Sequence, residues 1–485
     1  MRRTKIVATI GPSSSDEAVL RQMIEAGMDV ARLNFSHGTH ENHEANFRKI
    51  RKLGEQADKP IGIICDLQGP KIRVGELAGS PLELRKGGTL IITTRSVKAA
   101  GNKISTTYER LHHDVKAGDR ILLDDGAMEV RVVKVDGRDI HCRVINGGTL
   151  DAHKGINLPG IKISEPSLTD KDKEDVRFAA KLGVDYFAMS FVRRADDIMR
   201  LKDLLQKLGA GTPVIAKVEK PEALEHIDEI ISVSDGIMVA RGDLGVEMSP
   251  EKVPQTQKDL IRRSLEAGKP SITATQMLES MIRQPMPTRA EASDVVNAIY
   301  DGTGAVMLSG ETAVGDYPVQ SVKMMARIAG EADTYAVEKQ KKVFRHSATI
   351  GSFEDAIGQA VETTARNLPT RLIACLTTSG FTAQHISSYR PLAPIVALTQ
   401  NEAVRERMSL LWGVQPVCVQ EAKTIDALIA YAERELLKRR LVKKGDNIII
   451  TAGYPLGVSG TTNLMQLVRV DHKGFSFSGR SRKRG

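Results

Sequence analysis

The chain has 485 residues, of which 41% are hydrophobic, with 69 Lys and Arg against 60 Asp and Glu. That is longer than one hydrophobic core usually serves, so roughly two to four domains are expected. The net charge of +9 owes +4 to residues 471–485, where Lys473, Arg480, Arg482, Lys483 and Arg484 face only Asp471. The remainder argues against nucleic acid as a partner, since no recognition motif with interleaved aromatics accompanies it. Cys65, Cys142, Cys375 and Cys418 have no paired spacing. This speaks against a zinc site or a disulfide framework and fits a reducing cytoplasm. No apolar run has membrane-spanning length, and residues 1–4 lead straight toward a strand, so neither a membrane association nor a leader is expected.

Short apolar runs at 5–10, 30–36, 61–66, 186–190, 213–219, 236–243, 271–276 and 305–311 alternate with amphipathic stretches such as 16–26 and 256–267. Eight such units predict a closed parallel (β/α)8 barrel with its site at the carboxyl ends of the strands; an open doubly wound sheet is the alternative. The rhythm breaks after the third run. Residues 121–126, 129–133 and 140–144 read as short antiparallel strands, a small β domain set into a barrel loop that could act as a lid. Gly69-Pro70 and residues 158–160 bracket it as candidate hinges. Beyond residue 345, strands at 371–377, 394–399, 414–419 and 446–452 alternate with helices near 354–367, 402–411 and 424–441, a separate α/β domain. The expected division is a barrel over 1–71 and 162–344, an inserted β-barrel lid over 72–161, a C-terminal α/β domain over 345–471 and a basic tail over 472–485.

Several runs end in charge. Lys217 and Glu219 close the fifth, and Arg241 and Asp243 close the sixth. Unpaired charge has no place in a strand core, whereas strand ends are where α/β barrels build their sites. Two carboxylates beside a lysine suit a hard divalent cation, Mg2+ or Mn2+, next to a phosphoryl or enolate oxygen. A structural ion pair between Lys217 and Glu219 is the plainer reading, because residues two apart on a strand face the same way. Arg32, Asn34, Ser36 and Asp66 form a second cluster, in which Arg32 and Arg73 look like phosphate clamps. His37, His40 and His43 have metal-like spacing but leave a strand for a loop, which argues against a metal there. Residues 376–380 could hold a phosphate on hydroxyls and backbone N–H groups, or simply cap a helix.

The stretches at 31–38 (Ala-Arg-Leu-Asn-Phe-Ser-His-Gly), 238–245 (Met-Val-Ala-Arg-Gly-Asp-Leu-Gly), 274–280 (Ala-Thr-Gln-Met-Leu-Glu-Ser), 287–291 (Pro-Thr-Arg-Ala-Glu) and 307–312 (Met-Leu-Ser-Gly-Glu-Thr) resemble, in order, the signature segments of the pyruvate kinase family. The resemblance runs from Lys5 to about Val470. It implies phosphoryl transfer from phosphoenolpyruvate to ADP, giving pyruvate and ATP, in a cytoplasmic homotetramer. It implies a metal on Glu219 and Asp243, with Lys217 and Arg32 stabilising the transferring group. Thr275 would serve the proton relay that turns enolate into pyruvate. Ser190, Gly242, Asp243 and Thr275 would line the substrate site, and Asn34, His37, Arg73 and Lys154 would contact nucleotide. Arg289 and Asp294 look like interface and support residues.

Two departures stand out. Many members hold potassium with groups matching Asn34, Ser36, Asp66 and the carbonyl that follows, at Leu67. They usually carry Thr-Lys after that aspartate and Glu at the position of Lys71. Here the run is Asp66-Leu67-Gln68-Gly69-Pro70-Lys71. The Lys71 ammonium could replace the ion, as in a potassium-independent bacterial subgroup. Val314 stands where relatives often place a phosphate-binding lysine. Thr377, Thr378, Ser379, Gly380 and Thr382 resemble the family's effector loop, with residues 453–460 able to close over it. Phe381 and Thr378 stand where relatives have basic residues, so a sugar monophosphate or AMP is expected in preference to fructose 1,6-bisphosphate. Another metal-and-enolate barrel, such as a lyase or aldolase acting on pyruvate, is the alternative enzyme. A binding protein using the basic tail is the alternative class.

Overall fold

In a computed structural model of the chain, residues 2–77, 81–98, 101–339, 351–420, 424–455, 460–471 and 474–476 are described. The eight expected strands are Lys5–Ile10, Val30–Asn34, Gly62–Asp66, Tyr186–Met189, Val214–Val218, Gly236–Ala240, Ser271–Ala274 and Ala305–Leu308. They pair in sequence order, all parallel, and the last pairs with the first to close the barrel. The open sheet is thereby excluded.

The barrel interior explains where the charge went. Val7, Val30, Ile64, Tyr186, Ala188 and Ile215 share one buried cluster inside the ring of strands. Their alternate neighbours, such as Ile63, Phe187, Ala216 and Val218, belong to the larger core formed with the surrounding helices. Strand residues two apart face the same way. The next inward positions toward the carboxyl ends are therefore Thr9, Arg32, Asp66, Ser190 and Lys217. Each of these five strands is apolar at its lower inward position and polar at its upper one, whereas Ala240 and Ala274 keep the sixth and seventh apolar there. A packed floor and a polar ceiling follow from that pattern.

The insert follows the third strand. It forms a six-stranded sheet, in the order Ile156–Asn157, Arg120–Leu123, Met128–Asp136, Asp139–Asn146, Thr89–Thr93 and Lys103–Ser105, and a two-stranded ribbon, Leu82–Leu84 with Gly148–Leu150. Both surround one apolar core of their own. Its two connections to the barrel are pinned. Gly69 has φ +67°, a Cβ there would lie 2.6 Å from the Phe191 ring, and its N–H donates to Asp172 Oδ1 at 3.1 Å. On the return, Arg193 donates to the carbonyls of Ile163 (2.6 Å) and Glu165 (2.9 Å).

The C-terminal domain carries four parallel strands, Leu372–Leu376, Ile395–Thr399, Val414–Cys418 and Asn447–Ala452, as expected. Two more, Leu464–Asp471 and Gly474–Ser476, add antiparallel strands that the hydrophobic rhythm did not announce. The sheet thus reaches into the segment set down as a tail; Lys473, Arg480, Arg482, Lys483 and Arg484 lie outside the described residues. No helix of the described residues is long and apolar enough to cross a membrane.

This domain sits on the amino-terminal face of the barrel. Ile61 N–H donates to Glu406 (2.6 Å), Gly62 N–H to Ser409 Oγ (2.8 Å), Tyr186 OH to the Arg407 carbonyl (3.0 Å) and Lys5 Nζ to the Val414 carbonyl (2.7 Å). Leu410, 1% exposed, joins the interior barrel cluster and plugs its floor. Trp412, the sole tryptophan of the chain, lies between the Arg3 and Arg390 guanidinium groups. Leu410→Ala removes the plug and leaves a cavity, an effect of about 3 kcal/mol at such sites. A lowered Tm is expected, with loss of the Trp412 fluorescence signal coinciding with loss of barrel helicity by circular dichroism.

Candidate active site

The polar ceiling of the barrel is one connected network. Lys217 Nζ lies 2.8 Å from Glu219 Oε1 and 3.1 Å from Asp66 Oδ1, and donates to Ser190 Oγ at 2.6 Å. Arg32 Nε donates to Asp66 Oδ2 at 2.5 Å, and its Nη1 to Thr9 Oγ1 at 3.0 Å. Asp66 therefore bridges both cations. The plain ion pair between Lys217 and Glu219 exists, but only as one edge of this network. Ser190 Oγ passes a hydrogen bond on to the Leu67 carbonyl at 2.7 Å. Glu219 Oε2 accepts the Phe191 N–H at 2.8 Å, a contact made possible by the left-handed backbone of Phe191, φ +55°.

Burial opposes the Lys217 charge, yet Asp66 and Glu219 outweigh it and hold the ammonium far above its usual range. Burial likewise opposes the Asp66 charge, and Lys217 with Arg32 overcomes it, keeping that carboxylate ionised. Asp243 goes the other way. Burial, with Glu219 beside it, pushes its carboxyl up to about 6 against the pull of Lys217 and Lys71.

Two cavities open over this network. One, of about 140 Å³, includes Arg32, Ser190, Lys217, Glu219, Asp243 and Lys71 in its wall, together with Asn34, Ser36, His37 and Asp125. The other, of about 320 Å³, is lined by Thr9, Arg32, Lys217, Asp243, Thr275 and Val314, among others. Asp243 and Lys217 belong to both. Among the described residues no group of three or more His, Cys, Asp or Glu converges. A cation here would rest on the carboxylate pair Glu219 and Asp243 plus oxygens from substrate and solvent. The donor set fits a hard divalent ion: two carboxylates face one cavity, and one is pushed toward its neutral form by burial and the other's charge, a strain that a cation between them relieves.

Thr275 has φ +67° and Gln276 φ +55°. The Thr275 hydroxyl accepts the Gly242 N–H at 2.7 Å and donates to the Ala274 carbonyl at 2.6 Å. Gly242, expected to line the substrate site, thus directs its N–H at this hydroxyl. Arg241 points away from both cavities. Its Nη2 donates to the Thr275 carbonyl at 2.8 Å, and its Nη1 is shared between the two Asp294 carboxylate oxygens at 2.6 and 2.8 Å. Asp294 is accordingly a support residue within the chain. Arg289 is exposed on the first turn of its helix, Arg289–Tyr300.

The remaining expected residues divide. His37 lines both cavities, and burial, with Arg73, Lys71 and Arg32 nearby, lowers its pKa and favours the neutral ring. Asn34 Oδ1 accepts the Ser36 N–H at 3.2 Å, while Leu67 buries its side chain in the core. Arg73 and Lys154 line neither cavity. Arg73 donates to the His153 carbonyl at 3.0 Å, and Lys154 pairs with Asp124 at 3.0 Å. His40 Nε2 pairs with Asp175 and its ring stacks on Phe178, and His43 Nε2 bonds the His37 carbonyl and its ring stacks on Phe35. Near the expected effector loop, Thr377 Oγ1 accepts the Gly380 N–H (2.9 Å) and Thr382 Oγ1 accepts from Thr462 (3.0 Å). Thr378 and Ser379 are exposed. Gly380 is the N-cap of the helix Phe381–Ser388; its own N–H goes to Thr377 Oγ1 and the Phe381 N–H to Ser379 Oγ at 3.4 Å, so hydroxyls of this loop do serve the helix start, as the plainer capping alternative has it. Residues 456–459 of the expected closing segment lie outside the described residues.

Thr9, Phe191 and Asp125 escaped sequence reasoning, and Arg241 was marked as charge at a strand end without its partners Thr275 and Asp294. Thr9 was findable, since it occupies the upper inward position of the first strand, as Lys217 does on the fifth. Phe191 and Asp125 depend on backbone geometry and on the insert's placement, which carry no local signal. In metal-free protein, the Asp243 carboxyl should protonate with a midpoint near pH 6 by difference infrared spectroscopy. Glu219→Gln removes a neighbouring charge and should lower that midpoint.

The family model described as the pyruvate kinase barrel domain matches residues 1–322, and that of the pyruvate kinase alpha/beta domain matches residues 355–468. The pyruvate kinases of Staphylococcus aureus strains MRSA252 and USA300 are each 48% identical to the chain over 471 residues, covering 96% of it and 80% of theirs. A charged ceiling over a closed barrel, an inserted β domain and both family matches lead to one conclusion: the chain belongs to the pyruvate kinase family, enzymes that transfer a phosphoryl group from phosphoenolpyruvate to ADP, yielding pyruvate and ATP.

Proposed function

We propose that Lys217, held charged between Asp66 and Glu219, is the centre of the phosphoryl-transfer site, and that this enzyme works without potassium under control of its C-terminal domain. The observation that carries the first part is the ammonium buried beside a carboxylate pair and open to both cavities. Pyruvate kinases generally use Mg2+. Glu219 and Asp243 would hold that ion, or Mn2+, and when bound it supplies Lewis-acid neutralisation of charge on the reacting oxygens. Lys217 and Arg32 present fixed positive charge to the transferring group, the electrostatic task that dominates such reactions. Ser190 orients Lys217. The backbone at Asp243 receives the substrate carboxylate, since the Gly242 N–H is taken by Thr275 Oγ1, with Asn34 and His37, and Arg73 and Lys154 from the insert, serving nucleotide. The enolate left by transfer gains a proton at its methylene carbon and restores its carbonyl. The Thr275 hydroxyl orders the water or relay that delivers that proton from solvent. Lys217→Met should lower kcat by about 10²- to 10³-fold, the scale for losing one preorganised electrostatic group. A coupled assay with phosphoenolpyruvate and ADP measures it, with a melting curve to check folding.

Potassium independence is supported by Lys71, which lines the smaller cavity and has no ion-pair partner among the described residues. Its charge reaches Asp243 and His37. Turnover should be the same in tetramethylammonium as in potassium buffer, and Lys71→Glu should create potassium activation. Strong activation of the unaltered enzyme by potassium sinks the proposal.

For the effector, the supporting observation is a loop at 377–382 with exposed hydroxyls at Thr378 and Ser379 and no lysine or arginine. A single phosphate, as in a sugar monophosphate or AMP, suits it better than a bisphosphate. Titrating glucose 6-phosphate, AMP and fructose 1,6-bisphosphate against phosphoenolpyruvate kinetics should show the monophosphates lowering the half-saturating concentration. A homotetramer in the cytoplasm is the state in which we expect these properties.

A further inference from the structure

We infer that Arg241 is a positioning residue for the Thr275 hydroxyl, acting on the protonation of the enolate; this rests on the reading of Thr275 given above. Arg241 follows the sixth strand and opens the helix Arg241–Glu247, yet its guanidinium lines neither cavity over the site. It turns to the end of the seventh strand and donates to three successive carbonyls: Ala274 (Nε, 3.3 Å), Thr275 (Nη2, 2.8 Å) and Gln276 (Nη2, 3.4 Å). Those carbonyls span the two consecutive left-handed residues, Thr275 and Gln276. A β-branched residue adopts that conformation only where its surroundings enforce it. The other face of the guanidinium is fixed by Asp294 at 2.6 and 2.8 Å and by Gln257 Oε1 at 3.3 Å.

The next residue completes the grip. Gly242 N–H donates to Thr275 Oγ1 at 2.7 Å, so residues 241 and 242 hold Thr275 by its carbonyl and by its hydroxyl at once. A Cβ at residue 242 would lie 3.3 Å from that hydroxyl, which keeps the approach close. Thr275 lines the larger cavity with Lys217 and Asp243. Lysine at 241 can supply charge but not a planar fork that reaches three carbonyls and a carboxylate together. Its effect is therefore on where the hydroxyl points rather than on substrate binding.

The test separates the two half-reactions in the full-length, Mg2+-loaded enzyme. Overall turnover is followed with phosphoenolpyruvate and ADP. Proton exchange at the pyruvate methyl group is followed by NMR in D2O with ATP present. Arg241→Lys is expected to lower kcat and methyl exchange by about 10- to 100-fold, the scale of a small misplacement in a site, with KM for phosphoenolpyruvate nearly unchanged. In a Thr275→Ala background it should lower exchange no further. Asp294→Asn keeps the guanidinium but weakens its anchor, and should give a smaller loss of the same kind if Arg241→Lys does not fold. Additive losses, unchanged exchange, or a rise in KM alone overturns the inference. If Thr275→Ala leaves exchange intact, the reading of Thr275 has failed; if Arg241→Lys still slows exchange there, so has the path through Thr275.

Discussion

The site depends on charge that has been buried and then neutralised within a few ångströms. Taking an ammonium and a guanidinium out of water costs several kcal/mol each unless carboxylates and hydrogen bonds replace the lost hydration. Asp66 meets that need for both cations at once, and Glu219 and Ser190 complete the surroundings of Lys217. This is feasible only where several strand ends converge, because no single strand can supply two cations and their counter-ions on one face. Closing the barrel brings the second, third, fourth and fifth strands together around Lys217. The other details of the ceiling follow from that arrangement. Phe191 adopts its left-handed backbone to reach Glu219, and Gly69 lacks a side chain because the Phe191 ring occupies that space.

The network also leaves a deliberate imbalance. Asp66 is paired with both Lys217 and Arg32, whereas burial and the Glu219 charge push the Asp243 carboxyl up against the pull of Lys217 and Lys71. Glu219 is itself held by Lys217 and the Phe191 N–H, so the carboxylate that the site disfavours in its charged form is Asp243.

At the opposite face, the same strands are held by the C-terminal domain. The third strand begins under Glu406 and Ser409 and ends at Asp66. The fourth begins beside Arg51 and Arg407 and ends next to Ser190. Leu410 fills the floor of the lumen whose ceiling is Lys217. Each of these strands is about five residues long, so the domain contact and the chemistry are one strand length apart. The plug also means that the barrel interior is completed by residues more than a hundred positions away from its last strand.

Hydrophobic periodicity by itself determined the eight barrel strands, the break for an insert and the restart of the α/β rhythm, because burial on both faces of a parallel strand writes itself into local composition. It also marked Lys217, Glu219, Asp243 and Asp66, since charge at the end of an apolar run is visible in one dimension. Tertiary structure alone decided which charges meet. That Asp66 serves Lys217 and Arg32 together, that Arg241 turns from the cavity to Thr275 and Asp294, and that Leu410 closes the barrel floor are all pairings between distant segments. The antiparallel strand Leu464–Asp471 was likewise hidden, because a strand that alternates exposed Leu467 and Arg469 with buried Val468 and Val470 lacks the continuous apolar run of one buried on both faces. Local sequence reports how each residue is solvated; partner identity depends on closure of the whole chain, which local sequence does not encode.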